Sequence, residues 1–266
     1  MAFWARSFIF DGTPSENFGL MLYDIEGHKQ DDGVLGSKIK IKEDRLSRRP
    51  SPIHYGTIQN EPLEFKITFG VADADSGLDR FDMSAVAYWL TGHSQYKWLN
   101  ICQPDMLHVR YKCLITELKQ VTVGWLTVAF EATVTCDGPF AYHVPITEFV
   151  ECADSVTHLL RNPCNIPTAK TFPIIKISCL KGTNNILIRN LSANNMPFEL
   201  TGLSKYTPCT ITIDSANQII TTDKDISIYT LSNLHFPFFV PGDNTISVTG
   251  AVKLEINYSP LINIGY

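Results

Sequence analysis

No apolar run in these 266 residues approaches the roughly 18 that a membrane helix needs. The densest, Trp125-Leu126-Thr127-Val128-Ala129-Phe130, has the length of a strand, so no membrane partner is expected. A cationic footprint is also lacking. The formal net charge is -5, with 14 Lys+Arg against 18 Asp+Glu in residues 1–146 and 8 against 9 in residues 147–266. A protein that grips DNA or RNA needs positive charge for the phosphates, so nucleic acid is not expected as a held ligand, although DNA passing nearby is compatible. The seven cysteines (102, 113, 136, 152, 164, 179, 209) are odd in number and form no C-x-x-C pair. That argues against a disulfide framework and against a zinc ribbon, and it fits reduced thiols acting as small apolar residues in a protein that folds in a cytoplasm.

The vocabulary of catalysis is missing as well. There is no H-E-x-x-H, G-x-S-x-G, G-x-x-x-x-G-K-[ST] or G-x-G-x-x-G, and the histidines stand singly, none at metal-ligand spacing from another. Any two of the 27 acidic residues could converge as a glycosidase pair, but nothing nominates a particular two. The run Asp73-Ala74-Asp75-Ser76-Gly77 resembles half a calcium loop, yet its glycine comes one position early and Ser84 stands where the bidentate Glu belongs. Helix capping and an acidic turn explain those residues. The expectation is no catalytic residue, no metal and no cofactor.

What is present is strand and turn. Phe8 to Ile25 reads as a short apolar strand, a turn over Asp11-Gly12-Thr13-Pro14-Ser15 and a returning apolar segment at Phe18-Gly19-Leu20. The turn residues interrupt the apolar run that a targeting segment would need, so the fold is expected to begin at once. After a polar loop over 26–36, Lys38-Ile39-Lys40-Ile41-Lys42 alternates strictly, and Arg45, Arg48 and Arg49 extend the positive run. One reading is a solvated edge strand whose lysines discourage pairing. The other is a contact surface for a neighbouring subunit, with Lys38, Lys40, Lys42, Arg45, Arg48 and Arg49 as candidate interface residues.

Leu63–Gly70 alternates with Leu63, Phe65, Ile67 and Phe69 on one face, and the period then changes. Leu78, Phe81, Ala85 and Trp89 recur at helical spacing, which predicts one helix over about 78–91 packed on a sheet. Strands are expected at 97–102, 108–118 and 125–136, with a domain boundary near residue 146. Beyond it, Ile/Thr-rich strands are expected at 174–180, 186–190, 210–213, 219–222, 226–229, 236–240, 245–248 and 252–258. Such regular spacing without a helix is the pattern of a β-sandwich.

In this order and at this length, the segments resemble the distal tail protein (Dit) family of long, flexible-tailed bacteriophages. The resemblance runs from end to end. It rests on Phe10-Asp11-Gly12, Ser15-Glu16-Asn17-Phe18-Gly19-Leu20, Glu61–Phe69, the Trp89-Leu90 helix end, Asp137-Gly138-Pro139-Phe140-Ala141-Tyr142, Thr210–Asp214, Pro241–Ile246 and Leu254–Pro260. Ser47-Arg48-Arg49-Pro50-Ser51-Pro52, with two prolines, departs from the family's arginine-containing segment.

The resemblance implies a mainly β chain: an N-terminal β-sandwich with one flanking helix (1–146) and a C-terminal galectin-like β-sandwich of jelly-roll type (147–266). It implies a homohexameric ring at the virion tail tip, with the tail tube protein on one face and the tail-associated fibre or lysin protein (Tal) on the other. Receptor-binding proteins sometimes dock at the periphery of such rings. Sugar binding is not carried over, because the galectin His-x-Asn-x-Arg run and stacking tryptophan are absent after residue 146. Six copies would carry 6 × (-5) = -30, and an acidic lining lets DNA slide where a basic one would hold it. Two alternatives remain: a carbohydrate-binding module for host cell-wall glycans on the C-terminal sandwich and, with least support, a glycan hydrolase.

Overall fold

A computed structural model describes residues 5–22, 39–72, 77–193 and 196–264. The chain divides into two compact units, one of residues 1–142 with 263–266 and one of residues 143–262. Both are built from antiparallel sheets, and among the described residues there is one α-helix.

The first unit comprises β1 (Phe8–Phe10), β2 (Thr13–Pro14), β3 (Leu20–Leu22), β4 (Lys40–Asp44), β5 (Ile53–Ile58), β6 (Glu64–Val71), α1 (Arg80–Thr91), β7 (Lys97–Ile101), β8 (Val109–Val123) and β9 (Leu126–Cys136). The short β10 (Ala141–His143) follows. Its main sheet runs β2-β1-β7-β8-β9-β6-β3. The sheet curls on itself: Phe8 of β1 and Phe69 of β6 are far apart in strand order, yet their rings are 5.2 Å apart. Leu22 N–H donates to the Arg6 carbonyl at 2.9 Å, linking β3 to the chain entering β1. The apolar face expected on β6 is buried, with Leu63, Phe65, Ile67 and Phe69 all inside.

Helix α1 begins where Asp79 caps it: Asp79 Oδ1 accepts from the N–H groups of Phe81 and Asp82 at 2.7 and 2.8 Å, and Asp82 returns the contact. Of the residues that set the helical spacing, Trp89 is buried as expected, but Phe81 and Ala85 are not. Val86, Trp89 and Leu90 go inside, whereas Phe81 is 85% exposed and Ala85 is exposed. Two apolar stripes share this helix, and periodicity alone does not say which one meets the sheet.

Trp89 decides the matter. Its ring stacks on Phe18 at 4.6 Å and on Phe8 at 5.6 Å, and its indole N–H donates to the Phe10 carbonyl at 3.2 Å. The N-terminal segment is shaped for this contact: a single 3-10 turn over Ser15–Phe18 ends at Gly19, whose φ of +66° is left-handed. Glycine reaches that conformation without strain, and the turn presents Phe18 to the helix.

The second unit contains β11 (Ile146–Cys152), β12 (Ser155–Asn162), β13 (Ile174–Cys179), β14 (Ile186–Asn190), β15 (Phe198–Leu200), β16 (Cys209–Asp214), β17 (Ile219–Thr222), β18 (Gly242–Thr249), β19 (Val252–Tyr258) and β20 (Leu261–Ile262). One sheet runs β11-β19-β13-β16-β17 and the other β12-β18-β14-β15. On β13, Ile175, Ile177 and Cys179 stand opposite Ile213, Ile211 and Cys209 on one side and Ile256, Leu254 and Val252 on the other. These rungs, all buried, are why the sequence alternates apolar residues with Thr, Ser and Lys here.

Two segments expected as strands are not. Residues 226–229 run into a 3-10 turn over Ile228–Leu231, where Thr230 Oγ1 donates to the Ser227 carbonyl at 2.7 Å. That local hydrogen bond competes with a ladder. In 236–240 only Phe239 pairs, with Thr171. Buried asparagines take the place of a neighbouring strand. Asn190 donates to the Phe238 carbonyl, Asn162 to the Val240 carbonyl, and Asn244 Oδ1 accepts from the Val240 N–H, each at 2.9 Å. Asn244, fully buried, also donates to the carbonyls of Val240 and Gly242 and accepts from Asn190 at 2.8 Å. Asn244→Ala therefore leaves several buried backbone groups without partners, at a cost of roughly 3 kcal/mol or more. The check is the urea midpoint of the second unit's transition, which should fall while the first unit's stays put.

Candidate functional site

Among the described residues, strands β4 and β5 pair only with each other and form an arm separate from the main sheet. Ile41 stands opposite Thr57, while Lys40 and Lys42 stand opposite Ile58 and Gly56, so β4 turns Ile41 to one face and its two lysines, with Ile58 beside them, to the other. A bulge between Lys42 and Glu43 leaves Tyr55 as the extra residue. All of β4 is exposed, and so are large apolar side chains: Ile39 at 61%, Ile41 at 62%, Leu46 and Tyr55. From Lys40 on, the alternating segment is thus a strand with solvent on both faces.

The structure brings five of the six candidate cations onto this arm, and Lys38 lies outside the described residues. Lys40 pairs with Glu61 at 2.6 Å, and Arg45 lies 3.3 Å from Glu43. Lys42, Arg48 and Arg49 have no ion-pair partner among the described residues and are exposed. Residues 39–58 hold five Lys/Arg against two Asp/Glu, +3, which leaves nine against sixteen, -7, in the rest of residues 1–146. A two-stranded ribbon alone in water is marginally stable, so an exposed apolar and cationic one is suited to docking against another surface.

Two further surfaces of this unit escaped the sequence reading. The outward stripe of α1 is Phe81, Ala85 and Tyr88, the last 79% exposed. It borders an open groove of about 410 Å³ lined by Asp11, Thr13, Phe18, Ala85, Tyr88, Trp89, Gly92 and His93. At the tip of the β8–β9 hairpin, Trp125 is 100% exposed, in the turn rather than in the strand it was expected to begin.

Burial is the main cause that pushes the Cys136 and Cys179 thiols up to about 12, helped by Asp137 at the first and by Cys209 at the second. Cys113, directly across from Cys136, is pushed up further still. Such thiols stay protonated at neutral pH and are poor nucleophiles. The Tyr142 hydroxyl is also raised, by burial and then by Asp137, whose carboxylate accepts its hydrogen bond at 2.9 Å. Arg110, lowered by burial, stacks over Trp98 at 3.6 Å. All seven cysteines are free thiols, and the described residues contain no group of His, Cys, Asp or Glu able to hold a metal. Nor is any described helix long and apolar enough to cross a membrane.

Comparison with known proteins gives this geometry its context. No curated protein matches the chain in sequence. Among solved structures it is similar to the Dit protein of phage SPP1, described as a paradigm of the hub adsorption apparatus in phages that infect Gram-positive bacteria. That match has a TM-score of 0.66 and 13% identity over 96% of this chain and 98% of that one. It is also similar to a chain of the phage P2 baseplate in its activated conformation with calcium, at a TM-score of 0.56 and 10% identity over 97% and 98% of the two chains. At these identities the likeness is one of fold. The family models are decisive: one for a phage tail protein N-terminal domain matches residues 3–138, and one for a phage tail C-terminal domain matches residues 140–258. The chain belongs to this family of phage tail proteins, as a mainly β structural component with the fold of the Dit hub proteins.

Proposed function

We propose that this chain is the distal tail hub of its virion, a non-catalytic protein of which six copies close into a ring at the tail tip. The ring would join the tail tube protein on one face to a tail-associated fibre or lysin protein on the other, with receptor-binding proteins docked at its periphery. Residues 1–146 would form the ring, and the galectin-like unit, residues 147–266, would lie on its outside. The channel would pass DNA without gripping it, as six copies at -5 each favour.

The observation that carries this reading is the arm. A ring needs heterologous contacts, in which two different surfaces of each copy complement one another. The arm supplies one surface: apolar, cationic at +3 and unpaired to any other strand, on a unit whose remainder is acidic at -7. Lys40, Lys42, Arg45, Arg48 and Arg49 are then subunit-interface residues, with charge setting encounter and register. The test is the mass in solution. Light scattering should give about 180 kDa, six copies of 29.8 kDa, and a chain that stays at 29.8 kDa at high concentration would sink the proposal.

A further inference from the structure

The ring reading leaves open which surface of the next copy receives the arm, and the inference that follows rests on that reading. We infer that the arm of one copy lies along the outward face of α1 in its neighbour, with Ile39 and Ile41 against the stripe Phe81, Ala85 and Tyr88.

Three observations converge. Both surfaces are apolar where solvent would favour polar residues: Phe81 and Tyr88 stand out from the helix on one face at i and i+7, with Ala85 between them at i+4. On the arm, Ile39 and Ile41 share a face. Neither surface is covered by its own chain among the described residues, since the arm pairs with no other strand and the stripe is exposed along the helix.

The charges match as well. The helix opens with Asp79 and Asp82, both exposed. The arm brings Arg48 and Arg49, whose charges have no ion-pair partner among the described residues. Turned isoleucine side down, the ribbon keeps the lysines of β4 outward on its opposite face, while the arginines of the β4–β5 connection, at the ribbon's end, are free to reach a carboxylate.

The lengths agree too. Twelve residues of α1 span about 18 Å, and the six residues of β5 span about 20 Å. A ribbon of that size covers the stripe from Phe81 to the groove at Phe18 and Gly92. Because arm and stripe are different surfaces, each copy gives one and receives the other, which is the head-to-tail arrangement that closes into a ring.

The experiment uses the full chain carrying Ile41→Cys and Ala85→Cys together, both at exposed positions, treated with a mild oxidant. A non-reducing denaturing gel should show a ladder of covalent species up to six copies, and each single variant should show none. If light scattering finds the 180 kDa assembly but no ladder appears, the arm docks elsewhere and another tail component is the occupant of the stripe, so this inference is wrong while the ring reading survives. If the unsubstituted protein stays at 29.8 kDa, the ring reading itself fails, and this inference with it. Phe81→Ser provides an independent check. It should dissociate the assembly at concentrations where the unsubstituted chain is fully assembled, with no change in the melting of the isolated copy. Unchanged assembly would overturn the inference.

Discussion

Trp89→Ala should cost the N-terminal unit about 3–5 kcal/mol, the range for removing a large buried aromatic side chain. Three contacts go at once: the stacks on Phe18 and Phe8 and the hydrogen bond to the Phe10 carbonyl. Trp89 is only 8% exposed and is the residue through which α1 grips the N-terminal segment. The unit's melting midpoint should drop by roughly 10 °C or more. Phe81→Ala on the same helix is the control: a side chain 85% exposed contributes little to the fold, and the isolated copy should change by about 0.5 kcal/mol or less. Calorimetry on the two variants separates the anchoring face of the helix from its outward face. Equal losses would mean that the helix is held differently from this description.

Replacing Lys42, Arg48 and Arg49 together by glutamate should abolish assembly while leaving the fold intact. All three side chains are exposed and have no ion-pair partner among the described residues, so the monomer loses nothing that holds it together. In a ring, the substitution turns an arm of +3 into one of -3 against an acidic neighbour, repeated at every contact. Like charges brought together at an interface cost several kcal/mol. The dissociation constant of each contact should rise roughly a hundredfold or more, at ~1.4 kcal/mol per factor of ten. Mass photometry should find only the 29.8 kDa species at concentrations where the unsubstituted chain is assembled. A ring unaffected by six negative arms would show that the arm is not the contact.

Most of the sandwich in the second unit was legible because it obeys one rule. From β13 to β19 most inward residues are apolar at every second position, and Ile174–Cys179 and Val252–Tyr258 form where that alternation is cleanest. The rule fails where polar side chains enter the inward face. Strands β11 and β12, which lie in different sheets, went unread because Glu148 and His158 occupy inward positions and approach one another to 3.6 Å, which breaks the apolar period. It fails in the opposite direction at Phe236–Val240, an apolar run whose backbone is satisfied by Asn162, Asn190 and Asn244 rather than by a strand. Asn162 and Asn190 are distant in sequence, and no local pattern announces them.

The candidate assembly surface was legible in part, for a similar reason. The cations of the arm stand out as a charge run at Lys38–Arg49. The outward stripe of α1 was hidden, because Phe81 and Ala85 look like core residues until Trp89 is seen to fix the other face inward. A sequence shows that a helix is apolar on two sides, but only the fold shows which side is left over.

The central claim is a closed ring, and electron microscopy of the purified chain tests it most directly. Two-dimensional class averages should show particles with six-fold rotational symmetry, about 180 kDa, with an open centre. Averages showing single copies, two-fold dimers or open filaments would contradict it.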